Sequence, residues 1–434
     1  MESCVNRPSR AVESGSADRI APYAWFILLQ SFLITALVFG IWFSFGVFFV
    51  AMIQDFGWSR GGTSMPFAIG NLVQAALSPL VGFLSDRWGP RRVILIGFVL
   101  GVASLAACSQ VQTLWHLVVF FGFGFGSSVI FAGPVSNTAL LSRWFIRKRG
   151  AIIGLAFAGM GVGVKILGPL TQYLILRVGW RQSFLYLAAL LGAYGVLAYW
   201  GLRSTPWEVG LQPYGTMPPR PSPTIATTAP AETGWSVRQA LRRREFWVLF
   251  FVQFLIPLGI FPISVHQVAY LVDVGFSEVF AAAILGHMGL MSACGRVGFG
   301  SLSDRLGRFG GVALSVLCSQ IGIVVLLLVH DASVAWPLYL YALFFGLGYG
   351  ARGPIVSAII ADLFPGRHLG TIYGLISIGH GLGGALGPWY GGYIYDRVGA
   401  YKPAFVLALF SLVGVIGCFW VATRRLSQQA NTRS

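Results

Sequence analysis

Apolar runs of about 20 residues, the length a helix needs to cross a bilayer, recur along nearly the whole chain. They fall at about 24–52, 63–85, 93–108, 114–141, 150–176, 182–202, 246–272, 278–303, 311–330, 334–361, 370–395 and 403–423, which predicts twelve membrane-spanning helices. Backbone groups in lipid find no water to bond, so a spanning run satisfies its own hydrogen bonds by coiling into a helix. Composition agrees, with 56% of residues hydrophobic, 10% charged and a mean hydropathy of +0.73. A soluble chain carries about a quarter charged residues. A surface drawn from so few charges must mostly face lipid, and the expected fold class is an all-α polytopic membrane protein.

The first 20 residues are polar and mixed in charge, without the order of a signal peptide. The first apolar run is too long for one, so it is read as a retained span. Of five cysteines, Cys4, Cys108, Cys294, Cys318 and Cys418, no two form a CxxC pair or a metal spacing. Four lie in or at spans, where a small hydrophobe is their ordinary role.

The formal charge of +16 invites a nucleic-acid reading, but its distribution argues for topology. Alternating the loops from the N-terminus puts 22 of the 30 Lys and Arg residues on one side, among them Arg87, Arg143, Arg147, Lys148, Arg305, Arg367 and Arg424. Five lie on the other side: Arg60, Arg177, Arg181, Arg397 and Lys402. The positive-inside rule then places both termini in the cytoplasm. The partner implied by this charge is the bilayer, and no nucleic acid is expected.

Residues 203–245 interrupt the pattern. Pro218, Pro219, Pro221 and Pro223 stand among Ser, Thr and Ala, a composition that cannot form a packed core, and the basic SVRQALRRRE (Ser236–Glu245) reads as an interfacial helix. The expected organisation is a tail at 1–23, a six-helix half at 24–202, a cytoplasmic linker at 203–245, a second six-helix half at 246–424 and a tail at 425–434. The halves repeat. GFLSDRWG (Gly82–Gly89) matches GSLSDRLG (Gly300–Gly307) at an offset of 218 residues. At an offset of 220, Gly133-Pro134 matches Gly353-Pro354, AGMGVG (Ala158–Gly163) matches IGHGLG (Ile378–Gly383), and Arg177-Val178-Gly179 matches Arg397-Val398-Gly399. Equivalent elements are six spans apart, so the copies share one orientation, which predicts parallel repeats with a solute site near mid-membrane between them. Glycines four apart, Gly379, Gly383, Gly387 and Gly391, mark a face of span 11 made for close helix approach.

The two copies of the GxLSDRxG loop resemble the signature of the major facilitator superfamily. The resemblance implies that Asp86, Arg87, Asp304 and Arg305 latch the cytoplasmic helix ends and set the inward/outward balance. A purely topological charge cluster is the competing reading. Within the superfamily, FGIWFSFGVFF (Phe39–Phe49) with DFGWSR (Asp55–Arg60), RWFIRKRGAIIGLAFAGMGVG (Arg143–Gly163), CGRVGFG (Cys294–Gly300) and GHGLGGALGP (Gly379–Pro388) resemble the monocarboxylate transporters and the oxalate/formate antiporters.

All 14 acidic residues fall in tails, loops or span ends, whereas Arg296, Arg352 and Lys165 lie inside spans. A charge near the bilayer centre costs at least ~2.5 kcal/mol and needs a partner. With no acid at that depth, the missing partner points to an anionic cargo. Arg296, about 12 Å along the helix from Asp304, can hold a carboxylate through two parallel hydrogen bonds and matches the substrate arginine of the monocarboxylate family. Backbone carbonyls are its alternative partners. His380, about 15 Å into span 11, stands where the oxalate/formate antiporters carry a lysine. It could carry a proton with the anion or be a hydrogen-bonded core residue. Arg352 reads equally as a site residue or as one bonded to carbonyls loosened by Gly350, Gly353 and Pro354. Lys165 could snorkel toward the outer face, and His266 and His287 rank below it. Tyr373 and Phe43 could line the cavity, with packing as the alternative.

Two departures limit the resemblance. The family's first-span lysine aligns with Phe43, and the aspartate four residues before its arginine aligns with Ser292, so its proton relay does not carry over whole. The expected function is secondary transport of a small organic anion by alternating access: proton-coupled symport of a lactate- or pyruvate-like monocarboxylate across a cell (inner or plasma) membrane. An oxalate/formate-type dicarboxylate antiporter and, more remotely, a non-transporting sensor are the alternatives. No nucleophile–base pair, metal cluster or phosphate loop stands out, so neither an enzyme nor a cofactor is expected.

Overall fold

The computed structural model describes residues 21–215, 235–364 and 369–431. The first twenty residues with Cys4, the proline-rich middle of the linker, Arg367 and the last three residues lie outside the described residues. Twelve rods emerge, labelled α1–α12 in chain order. α1 is Pro22–Phe56, with a hitch at Ser44; α2 is Arg60–Trp88, α3 Pro90–Cys108 and α4 Leu114–Trp144. One long helix, Arg149–Gly201, bends at Gly179 into α5 (149–178) and α6 (180–201). α7 is Arg244–Asp273. A second long helix, Glu278–Leu328, bends at Gly307 into α8 (278–306) and α9 (308–328). α10 is Trp336–Leu363, α11 Leu369–Val398 and α12 Lys402–Asn431.

The sequence repeat is written into the backbone. The glycines closing the two signature loops, Gly89 and Gly307, have φ of 84° and 76° with ψ of 146° and 159°. These are left-handed conformations that glycine adopts without steric cost. Each turns one rod into the next, α2 into α3 and α8 into α9. Gly179 and its repeat-mate Gly399 do the same for α5–α6 and α11–α12. The repeat also governs packing inside each half. A Cβ on Gly163 of α5 would sit 1.9 Å from the Ala36 carbonyl oxygen of α1, and one on Gly383 of α11 would sit 2.0 Å from that of Phe254 in α7. These equivalent glycines bring α5 against α1 and α11 against α7, as close packing without a hydrophobic drive requires.

The repeat breaks in α4. α4 stops at Ala132 and restarts at Gly133-Pro134, where the amide of Asn137 donates to the freed carbonyls of Ala132 and Gly133 at 2.7 and 2.8 Å. Its counterpart, Gly353-Pro354, lies inside an unbroken α10. The linker clasps the N-terminal half through Tyr214, whose backbone N–H donates to Trp144 O and whose carbonyl accepts from Ile146 N–H, both at 2.9 Å. On its far side a short helix, Val237–Leu241, is closed by a capping box of Ser236 and Gln239. The two halves meet along a seam where α8 faces α5, α11 faces α2 and α7 faces the second half of α1. We call the end of the seam nearest the termini proximal and the other end distal.

Candidate functional site

Arg296 projects from α8 about 16 Å above the bend at Gly307 and is partly exposed at the seam. Its Nη1 donates to Ser292 Oγ at 3.1 Å, and its guanidinium lies 5.7 Å from the ring centre of Tyr349. Among the described residues no carboxylate pairs with it. Among the described residues its hydrogen-bond partner is thus a hydroxyl, and no backbone carbonyl accepts from it. His380 on α11 is also partly exposed, sits edge-on to Phe261 at 5.8 Å, and has no hydrogen-bond partner among the described residues. Counted down from the distal ends of their helices, Arg296 and His380 both lie about 27 Å deep.

Above them lies a layer of rings from both halves. Phe43 of α1 meets Phe261 of α7 at 6.4 Å and Tyr349 of α10 at 6.1 Å, with interplanar angles of 70° and 80°. Phe67 of α2 meets Phe261 at 5.8 Å and 88°. These edge-to-face contacts are the favoured aromatic geometry. Phe43, Phe261 and Tyr349 lie about 18–20 Å from the distal ends, so the ring layer roofs the level of Arg296 and His380. Sequence reasoning found Phe43 and missed Tyr349, Phe261 and Phe67.

Arg352 lies behind this group rather than in it. It is 1% exposed, its Nε donates to Gly348 O at 3.1 Å, its Nη2 donates to the Ser319 hydroxyl of α9, and its Nη1 has no partner among the described residues. Tyr349, three residues before Arg352 on α10, presents its ring to Arg296 at 5.7 Å. Tyr373 is two turns proximal of His380 and exposed, sharing a hydrogen bond of 3.1 Å with Ser357. Lys165 does not reach for the outer face: its Nζ lies 3.2 Å from the His287 ring across the α5–α8 seam. His266 is fully buried, and its Nε2 donates to Pro388 O at 2.8 Å.

The signature-loop charges are placed at the proximal end. Asp86, Arg87 and Arg305 are exposed, and none makes an ion pair among the described residues; the Asp304 side chain lies outside them. The distal end instead carries a network that the sequence did not single out. Arg60, at the start of α2, forms a bidentate pair with Asp273 of α7 at 2.6 and 2.7 Å and donates to Tyr401 Oη at 2.8 Å. The backbone N–H groups of Arg60 and Gly61 donate to the Asp396 carboxylate, both at 2.8 Å, and the guanidinium stacks 3.8 Å from the Tyr395 ring. Gln54 and Gln172 both donate to Glu278 nearby. Polar contacts between the halves thus run from mid-membrane to the distal end.

Comparison with known proteins gives this geometry a family. The family model for the Major Facilitator Superfamily matches residues 31–351 and 308–434. The chain is similar to monocarboxylate transporter 13 of Rattus norvegicus, 31% identical over 399 residues, covering 90% of this chain and 87% of that one. It is 30% identical to monocarboxylate transporter 11 of Homo sapiens over 398 residues, covering 89% and 80% of the two chains. Monocarboxylate transporter 4 of Rattus norvegicus is 26% identical over 427 residues, covering 95% and 88%. Among solved structures, a bacterial homolog of the human lysosomal transporter Spinster, in an inward-facing and occupied conformation, superposes with a TM-score of 0.70 at 16% identity over 93% of this chain and 97% of that one.

Proposed function

Because the chain belongs to the Major Facilitator Superfamily and to its monocarboxylate-transporter-like branch, and is therefore a multi-pass membrane carrier rather than an enzyme, we propose that it moves a small monocarboxylate together with a proton. The carrier sits in a cell membrane with both termini cytoplasmic, so the distal end faces outward. Arg296 holds the carboxylate through its guanidinium fork, and His380 at the same depth takes and releases the proton. Phe43 roofs the cargo, and Tyr373 lies along the path toward the cytoplasm. Asp86, Arg87, Asp304 and Arg305 act on the cytoplasmic helix ends during alternation.

The observation that carries this reading is Arg296: a guanidinium at membrane depth, partly exposed at the seam, whose recorded hydrogen-bond partner is a serine hydroxyl. A cation there is costly without an anion, and cargo supplies it. The burial of Arg352 behind Tyr349 favours one carboxylate over two, which weighs against the dicarboxylate exchanger. Uptake of labelled lactate, pyruvate, oxalate and malonate into proteoliposomes, with and without an inward proton gradient, tests the reading. Gradient-driven monocarboxylate uptake that Arg296→Gln abolishes supports it. Flux that ignores the gradient and requires an anion inside makes the protein an exchanger, and the absence of carboxylate flux removes the cargo assignment.

A further inference from the structure

The chemistry above Arg296 differs from the chemistry at its own level. At about 27 Å depth stand a cation and an imidazole; some 7–9 Å distal of them, by helix rise, the polar groups give way to rings. Phe43 is 6% exposed and wedged between Phe261 and Tyr349 of the opposite half, with Phe67 backing Phe261. Two nearby polar side chains are engaged elsewhere: the Ser292 hydroxyl accepts from Arg296, and the Asn71 amide donates to Phe67 O at 2.8 Å. Tyr349 turns its ring toward Arg296, whose guanidinium lies 5.7 Å from the ring centre.

A carboxylate seated on Arg296 from the proximal side therefore points its other end at aromatic faces and edges. Resting on the carrier reading above, we propose that the cargo is a monocarboxylate with an apolar body, branched aliphatic or aromatic, and that Phe43 is the residue that selects it. A body that fills the space under the roof gains from leaving water, and an aromatic body gains further from edge-to-face contact. A hydroxyl or keto group on the second carbon loses its water against these ring faces and regains no comparable hydrogen bond from them. Because Phe43 belongs to one half and its ring partners Phe261 and Tyr349 to the other, the cargo's body also meets the surface across which the halves move.

The test is calorimetric titration of the purified full-length chain with lactate, isovalerate and phenylacetate at pH 7.5, where all three are ionised and membrane leakage of the free acids plays no part. Isovalerate and phenylacetate are expected to bind at least tenfold tighter than lactate, the discrimination a few methylenes give in an apolar site. Arg296→Gln is expected to abolish all three, and Phe43→Ala to narrow the ratio to below threefold. Phe43→Leu, which keeps bulk without a ring, is expected to lower phenylacetate affinity more than isovalerate affinity, and it serves if the alanine variant fails to fold. Lactate binding as tightly as the other two while still requiring Arg296 overturns the apolar-body proposal and leaves the carrier reading intact. Absence of binding by any carboxylate overturns the carrier reading and this proposal with it.

Discussion

Arg60, at the distal end of the seam, makes a bidentate ion pair, a hydroxyl hydrogen bond and a ring contact, all with the opposite half; Arg87, at the proximal end, is exposed and makes no ion pair among the described residues. Both open on a turn beside α2, one at its start and one at its finish. The distal charge is locked because its partners come from three places, α7, α11 and the turn into α12. Its side chain is 15% exposed, which spares the pair part of the screening that weakens surface ion pairs. The proximal charge has the more conspicuous sequence, repeated 218 residues later, and the less engaged structure. The structure is thus a distally closed state, in which Asp86, Arg87 and Arg305 of the repeated motif make no ion pair among the described residues.

Arg60→Ala is the change that breaks this comparison most severely. It removes three charge-assisted hydrogen bonds, each worth about 1.5–3 kcal/mol, and leaves the Asp273 carboxylate without its forked partner. The distally closed state is expected to lose at least tenfold in population, since about 1.4 kcal/mol is tenfold. Electron-spin distances between labels at Gln112 and Ser333, exposed on distal loops of opposite halves, are expected to lengthen. An unchanged distance distribution would show that ring packing, of Phe43 on Phe261 and of Phe49 on His266 at 5.0 Å, closes the end without the charges. Arg60→Lys is expected to recover part of the closure, because an ammonium cannot make the forked pair.

Gly392→Ala attacks the same end through shape. Its Cβ would lie 2.5 Å from Arg60 O and 2.6 Å from Gly61 N, both backbone atoms that cannot step aside alone. Overpacking of this kind costs about 1–3 kcal/mol, so closure is expected to weaken about tenfold on the same distance measurement, with Arg60 and its charge intact. Asp396→Asn comes next. It keeps an acceptor for the α2 N-terminus but loses the charge that suits a helix N-terminus, worth about 0.3–1 kcal/mol. A two- to fivefold loss of closed population is expected.

How far these contrasts could be foreseen depends on what a helix in lipid leaves in its sequence. Twelve spans and the duplication were legible because length and turn glycines are local properties. Gly89 and Gly307, or Gly179 and Gly399, need no knowledge of the fold to be paired. Arg296 and His380 stood out as candidates because ionisable side chains are rare in spans, and rarity at depth is a signal. The ring roof did not stand out. Among 34 phenylalanines and 15 tyrosines, inward and lipid-facing rings are equally apolar, so no amphipathic stripe separates Phe261 from the exposed Phe251. The distal network was hidden for a different reason. Arg60, Asp273 and Asp396 are ordinary boundary charges by position, and only the meeting of segments some 200–340 residues apart gives them a function. Lys165 was read as reaching for water because its partner, His287, is 122 residues away in the other half.

The smallest expected effect belongs to the proximal end, and it sharpens the comparison most. Asp86 is exposed and unpaired among the described residues, so Asp86→Asn removes no contact present in this state. Changes at such surface positions stay within about 0.5 kcal/mol. Tm and the Gln112–Ser333 distance are therefore expected to match the unmodified protein, in contrast to the distal variants. If Asp86 latches the proximal ends once they come together, the cost appears only in the opposite state, and net uptake slows while cargo affinity measured in the distally closed state is retained. A variant that neither shifts the distance nor slows uptake would leave Asp86 with topology alone. The ends of the seam would then differ in kind: a gate of charge on the distal side and, on the proximal side, a loop whose charges orient the chain in the bilayer.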